Sequence, residues 1–163
     1  RDELMIRWER CKVMIFSIVP RFRARQLSSI APSVWYRCEA DRFDGCTIVQ
    51  MDIGGFTKLA TQMEADELLD LINAIYTSID HCAECIGHVW RVEIIGDCYL
   101  ALVGGPRPCH NHAYKAVSLA LAIVDTVERI SARVQVPLQV RIGVHTGSVV
   151  AGIVGRAMPR YLI

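Results

Sequence analysis

Net charge is what this chain has least of: 18 Lys and Arg stand against 17 Asp and Glu, a formal balance of +1. No global field therefore draws it to nucleic acid or to an anionic membrane, and an anionic ligand needs a local site. Long apolar runs are missing too. The longest, residues 13–20 and 117–124, are less than half of the roughly 18 to 20 residues that cross a bilayer. Evenly paired cysteines are also lacking. The seven that exist are scattered through apolar segments, which excludes the disulfide framework of a small secreted domain and points to a reducing, cytoplasmic setting. The chain opens on Arg1 without a signal-peptide pattern, so it reads as a segment of a longer parent that is left free to carry a membrane anchor elsewhere.

What is present is a core. At 52% hydrophobic and 21% charged, the composition suits a globular domain rather than a disordered polymer. Residues 1–18 have helical character, and Pro20 interrupts them before the basic stretch Arg21, Arg23 and Arg25. That segment reads as a connector or as a solvated terminal helix. Thr47, Ile48 and Val49 predict a strand over 46–51, ended by Asp52 and Gly54-Gly55. Helical signals run over 56–85, with Leu68, Ile72, Ile75, Ile79, Cys82 and Ile86 as the buried stripe of one amphipathic helix. Gly87 stops it. Strands over 88–95 and 98–103 flank Gly96-Asp97 as a hairpin, and Val117, Ala120, Val124, Val127 and Val134 mark a second long helix ending before Pro137. Two last strands, 138–145 and 148–154, are separated by Thr146-Gly147. This order predicts an α+β sandwich with helices on one face of a mainly antiparallel sheet.

Two carboxylates leave strands instead of helices. Asp52 ends an apolar strand and is followed by Ile53, Gly54, Gly55, Phe56 and Thr57, where glycines let backbone approach a ligand and a helix start offers free N–H groups to phosphate. Asp97 tops the hairpin. If the first strand lies beside that hairpin, the two charges converge, an arrangement that calls for a cation. Magnesium suits it, since it takes hard oxygen ligands and is held by one or two carboxylates together with substrate phosphates. A helix cap at Asp52 and an ordinary turn at Asp97 are the plainer alternatives. His81, Cys82, Cys85 and His88, with Cys109, His110 and His112 further on, raise a zinc module as another. Against zinc, Cys82 falls on the apolar stripe, and no second CxxC stands at finger spacing.

Four segments resemble the class III nucleotidyl cyclases, the family of adenylyl and guanylyl cyclases. They are Met51-Asp52-Ile53-Gly54-Gly55-Phe56-Thr57, Arg91-Val92-Glu93-Ile94-Ile95-Gly96-Asp97-Cys98-Tyr99, Arg141-Ile142-Gly143-Val144-His145-Thr146-Gly147, and Gly155 followed by Met158-Pro159-Arg160-Tyr161. The resemblance covers 44–163, with 1–43 similar to the helical linker that joins such domains to an upstream sensor. It implies a ferredoxin-like α/β sandwich and a head-to-tail dimer, homodimeric or formed with another cyclase domain, with active sites at the interface. It also implies two magnesium ions on Asp52, Asp97 and the Ile53 backbone, manganese as a substitute, and a triphosphate cradle over Ile53, Gly54, Gly55, Phe56 and Thr57. The reaction would close a nucleoside triphosphate into a 3′,5′-cyclic nucleotide and release pyrophosphate.

The purine-selecting positions that the resemblance carries over are Glu93 and Leu162. Glu at the first goes with GTP in the family and Lys with ATP, and the chemistry agrees. A carboxylate accepts from guanine N1–H and the exocyclic amine, whereas adenine N1 is only an acceptor. Leu162 stands where family members often place Cys or Asp, which weakens the second guanine contact without favouring ATP. GTP is therefore the expected substrate, ATP the alternative, and a non-catalytic dimerising or nucleotide-binding homologue the reading furthest from it. The chain ends at Ile163, before the Asn and Arg that family members use in the transition state. Little turnover is expected of these residues alone, because losing such donors costs roughly 10²-fold or more each.

Overall fold

A computed structural model describes residues 2–156 and 159–163; Met158, quoted in the last motif, lies outside the described residues. The elements run α1 (Asp2–Ile18), α2 (Arg21–Leu27), a 3₁₀ turn (Pro32–Arg37), β1 (Asp41–Gly54), α3 (Phe56–Gln62), α4 (Ala65–Ile86), β2 (Val89–Ile95), β3 (Cys98–Val103), α5 (His112–Val134), β4 (Gln139–Val154) and β5 (Arg160–Leu162). They form two compact units, residues 43–148 and residues 1–42 with 149–163.

In the larger unit the strand order is β2-β3-β1-β4. β1 pairs antiparallel with β3 from Thr47 opposite Val103 to Asp52 opposite Cys98, and β2 pairs antiparallel with β3 on the other side. Two-residue alternation sends Val49, Met51, Tyr99, Ala101 and Val103 to one face, where they meet α4 and α5. α4 brings Leu71, Ile75, Tyr76, Ile79 and Ala83 to this core, and α5 brings Ala116, Leu119, Ile123, Val127 and Ile130. Burying such an Ile or Leu side chain contributes about 1.5–3 kcal/mol. Asp66 and Glu67 in its first turn suit the positive end of α4. At the other end, Gly87 leaves the helix at φ 68°, and Lys115 Nζ donates to the Ile86 and Gly87 carbonyls at 2.5 and 3.2 Å.

The helical signals over 56–85 form two helices, α3 and α4, with Met63 and Glu64 extended between them. Three expectations are corrected here. The strands predicted over 138–145 and 148–154 are one, since Thr146-Gly147 continues β4 without turning. The first strand is longer than 46–51 at both ends. In α5 the predicted series is only partly the buried stripe: Val127 is buried and Ala120 packs on the core, while Val117, Val124 and Val134 are exposed and Ala116, Leu119 and Ile123 are buried in their place.

In the smaller unit α1 exposes Leu4, Met5, Ile6 and Val13. The basic stretch that follows does not all face water. Arg23 is buried and donates from Nε to Asp41 Oδ2 at 2.5 Å, from Nη1 to Gln26 Oε1 at 2.7 Å and from Nη2 to the Glu39 carbonyl at 2.6 Å. The Tyr161 hydroxyl donates to the same Asp41 carboxylate. β5 pairs antiparallel with the end of β4, Leu162 opposite Gly152.

Candidate active site

The register of β1 against β3 sets the site. With Asp52 opposite Cys98, the end of β1 lies beside the hairpin turn, and Asp97 stands next to Asp52, close enough for their side chains to share a hydrogen bond. Two carboxylates this close repel each other as like charges, an arrangement that a cation between them relieves. Arg141, projecting from β4, donates from Nη2 to Asp52 Oδ2. That bond, followed by the one with Asp97, holds the Asp52 carboxyl below the usual carboxylate range. Asp97 goes the other way: burial first, then the facing Asp52, push it up. The chain thus separates the two acids by giving one of them a guanidinium.

The loop after Asp52 is shaped by its glycines. Gly55 precedes α3 in the left-handed region at φ 72°, with nothing within 4 Å of where a Cβ would stand, so backbone conformation and not space asks for glycine. Gly54 meets β4 closely instead: a Cβ there would lie 3.4 Å from the Gln139 carbonyl oxygen. Ile53 is buried in the core, so its side chain fixes the strand end while its backbone faces the loop. Behind the hairpin, the Tyr76 hydroxyl donates to the Gly96 carbonyl at 3.2 Å. Burial, then the charge of Asp97, push that hydroxyl up to about 12, so it remains a donor across the neutral range.

The donor set fits a divalent cation. Asp52 and Asp97 present hard carboxylate oxygens side by side. Among the described residues no three of His, Cys, Asp and Glu gather into a metal cluster, so further ligands have to come from backbone, substrate or water, as magnesium prefers. The zinc alternative does not assemble. Cys82 packs against the core with its Sγ 3.6 Å from Thr126 Oγ1, Cys85 Sγ lies 3.8 Å from His81 Nε2 on the surface, His88 Nδ1 is 3.4 Å from the Arg107 carbonyl, and His112 Nδ1 is 2.8 Å from Thr47 Oγ1.

Glu93 is half-buried on β2, opposite Leu100, two strands away from Asp52. Leu162 belongs to the smaller unit, on β5. Within the larger unit, then, Asp52, Asp97 and Arg141 converge while Glu93 stands apart. Arg141 is the member that sequence reasoning quoted in a motif without giving it a task. The available signal was alternation along β4: Val140 and Ile142 pack on the core, which turns Arg141 to the face of Asp52.

The sequence profile described as the adenylate and guanylate cyclase catalytic domain matches residues 38–163. The chain belongs to this family. Guanylate cyclase soluble subunit beta-2 of Rattus norvegicus is 30% identical over 163 residues, 99% of this chain and 23% of that protein, so the chain spans less than a quarter of the relative's length. Among solved structures, the guanylate cyclase domain of RhGC from Catenaria anguillulae in complex with GTP is 29% identical, with a TM-score of 0.70 over 74% of this chain and 66% of that one. The adenylyl cyclase CyaB from P. aeruginosa is 27% identical, with a TM-score of 0.71 over 76% of this chain and 66% of that one. The mixed helical and antiparallel architecture is therefore that of class III cyclase catalytic domains, and the domain is guanylyl-cyclase-like.

Proposed function

We propose that the chain supplies the carboxylate half of a guanylate cyclase site, converting GTP into 3′,5′-cyclic GMP and pyrophosphate at the interface with a second cyclase domain, either its own copy or a relative. In this reading Asp52, Asp97 and the Ile53 backbone hold two magnesium ions, manganese substituting, and the triphosphate lies along Ile53, Gly54, Gly55, Phe56 and Thr57. Glu93 and Leu162 of the partner domain read the purine. Residues 1–43 connect to an upstream sensor in a cytoplasmic part of the parent.

One observation supports the proposal: the β1–β3 register brings the end of β1, with Asp52, beside the hairpin turn that carries Asp97. In the reaction the ribose 3′-oxygen bonds to the α-phosphorus, the bond to the β-phosphate oxygen breaks, and the 3′-hydroxyl loses its proton. The cations supply acidification of that hydroxyl and neutralisation of the triphosphate. Asp52 and Asp97 are the carboxylates that would hold them. Arg141 keeps Asp52 ionised, and the Gly54-Gly55 backbone gives the phosphates room. Across the interface, the Glu93 carboxylate accepts from guanine N1–H and the exocyclic amine, which adenine cannot match.

ATP is the second reading, favoured by the equal structural likeness to an adenylyl and a guanylyl cyclase. The test is cyclic-nucleotide production from GTP and ATP in the longest polypeptide carrying this chain, with Asp52→Asn as control and magnesium or manganese as cation. GTP turnover that falls by about 10² or more in Asp52→Asn is the expected result. A preference for ATP would overturn the role given to Glu93, and silence with both purines would leave a nucleotide-binding or dimerising homologue. Mixing Asp52→Asn with Glu93→Lys chains should restore one site per dimer; no complementation would remove the shared interface.

A further inference from the structure

One side of α4 reaches the hairpin at two points. Tyr76 and Asp80 stand a helical turn apart, so their side chains leave the same side of the helix. Tyr76 holds the Gly96 carbonyl, just before Asp97. Asp80 accepts from Arg91 Nη1 through Oδ2 and from the Tyr99 hydroxyl through Oδ1, the latter at 3.2 Å. The Tyr76 and Tyr99 rings stack, centroids 6.1 Å apart and planes 23° from parallel.

β2 begins the strand order β2-β3-β1-β4, so among these strands only β3 holds it through its backbone. Its register is interrupted as well: Arg91 pairs with Ala101 and Glu93 with Leu100, which makes Val92 the extra residue of a bulge. In a regular strand residues two apart share a face. Here the bulge divides them. Arg91 lies on the face of Ala101 and Tyr99, toward α4, while Glu93 lies on the opposite face with Leu100 and Gln50. Whatever fixes Arg91 fixes the turn of backbone that aims Glu93.

We propose that Asp80, acting through Arg91, is a positioning residue for Glu93: the ion pair to α4 pins the bulge at Val92 and thereby sets the purine preference of the partner-facing carboxylate. This rests on the reading of Glu93 as the purine contact. Asp80 touches neither the carboxylate pair nor the phosphate loop, so its removal acts on selectivity apart from metal binding.

The experiment measures kcat and KM for GTP and ATP, and the magnesium dependence, in the longest polypeptide carrying the chain, for Asp80→Asn, Arg91→Met, Glu93→Lys and the double variant Asp80→Asn with Glu93→Lys. Asp80→Asn keeps an acceptor for Tyr99, and Arg91→Met keeps the aliphatic stem, so the pair is broken from either side with its packing preserved. Each is expected to lower the ratio of kcat/KM for GTP over ATP by on the order of tenfold, mainly through KM for GTP, with the magnesium dependence unchanged. In the Glu93→Lys background, Asp80→Asn should change the ratio no further. If Glu93→Lys moves the ratio while both single pair-breaking variants leave it alone, Asp80 is structural only and the inference is overturned. If Glu93→Lys itself leaves the ratio unmoved, the purine reading falls and takes the inference with it; that variant leaves Asp80 and Arg91 intact, so the two failures are told apart.

Discussion

The central strands have two faces that do opposite things with the same sequence. Toward α4 and α5, Met51, Tyr99, Ala101 and Val103 are 0% exposed. On the other face Gln50 is exposed, Asp52, Cys98, Leu100 and Glu93 are half-buried, and Ile95 is 62% exposed. Adjacent residues of one strand thus face the core and the open side where the proposed chemistry would take place. A carboxylate pair that takes a cation needs an openness that a packed core would forbid. The core face supplies rigidity from behind, and the active groups remain free to trade partners.

Substituting neighbours tests this division most directly. Asp52→Asn should cost about 10² or more in turnover, with the thermal midpoint nearly unchanged. Met51→Ala, one residue earlier, should cost about 2–5 kcal/mol of stability, measured by urea unfolding, while any protein that stays folded still binds magnesium. If the two effects changed places, the division between faces would be wrong.

A smaller effect concerns protons. Asp97 is raised, so its contribution to stability is present below the ordinary carboxylate range and is lost as pH climbs through its raised pKa. Asp52 is lowered, so its contribution is present above that range and is lost as pH falls through its lowered pKa. A cation at the pair competes with protonation of Asp97. Magnesium affinity should therefore rise as pH climbs through the raised pKa of Asp97, with a proton released on binding. Calorimetry in two buffers of different ionisation enthalpy reads this release, and Asp97→Asn should abolish it. The smallest effect belongs to the loop: Gly55→Ala, with open space but φ 72°, should cost about 1 kcal/mol in a thermal melt.

Much of this was legible in the residues. Gly96-Asp97 between two β-branched and aromatic runs announced the hairpin, and the four-and-three stepping of Ile72, Ile75, Ile79 and Cys82 found the side of α4 that packs. The misses share a cause: each depended on a neighbour that sequence does not display. α5 carries apolar residues almost all round, including exposed Val117 and Leu121, so its period allows two phases and the sheet selects one. Thr146-Gly147 has the composition of a turn, yet the Thr146 hydroxyl lies 2.9 Å from that of Thr47 on β1, and that pairing keeps the strand straight. At the site, two aspartates were visible, but Arg141 became their companion only once β4 lay beside β1.

Arg141 means that the carboxylate pair is never an empty seat. A guanidinium already sits on Asp52, and any incoming ion competes with it. A monovalent ion would exchange one positive charge for another and give up a directional hydrogen-bonded contact, so it gains nothing by entering. A divalent ion brings twice the charge to both acids and can spare the guanidinium. With the pair holding cations as proposed, the resident arginine would set an entry threshold by valence, and once displaced it would stand as a loose cation beside the phosphates.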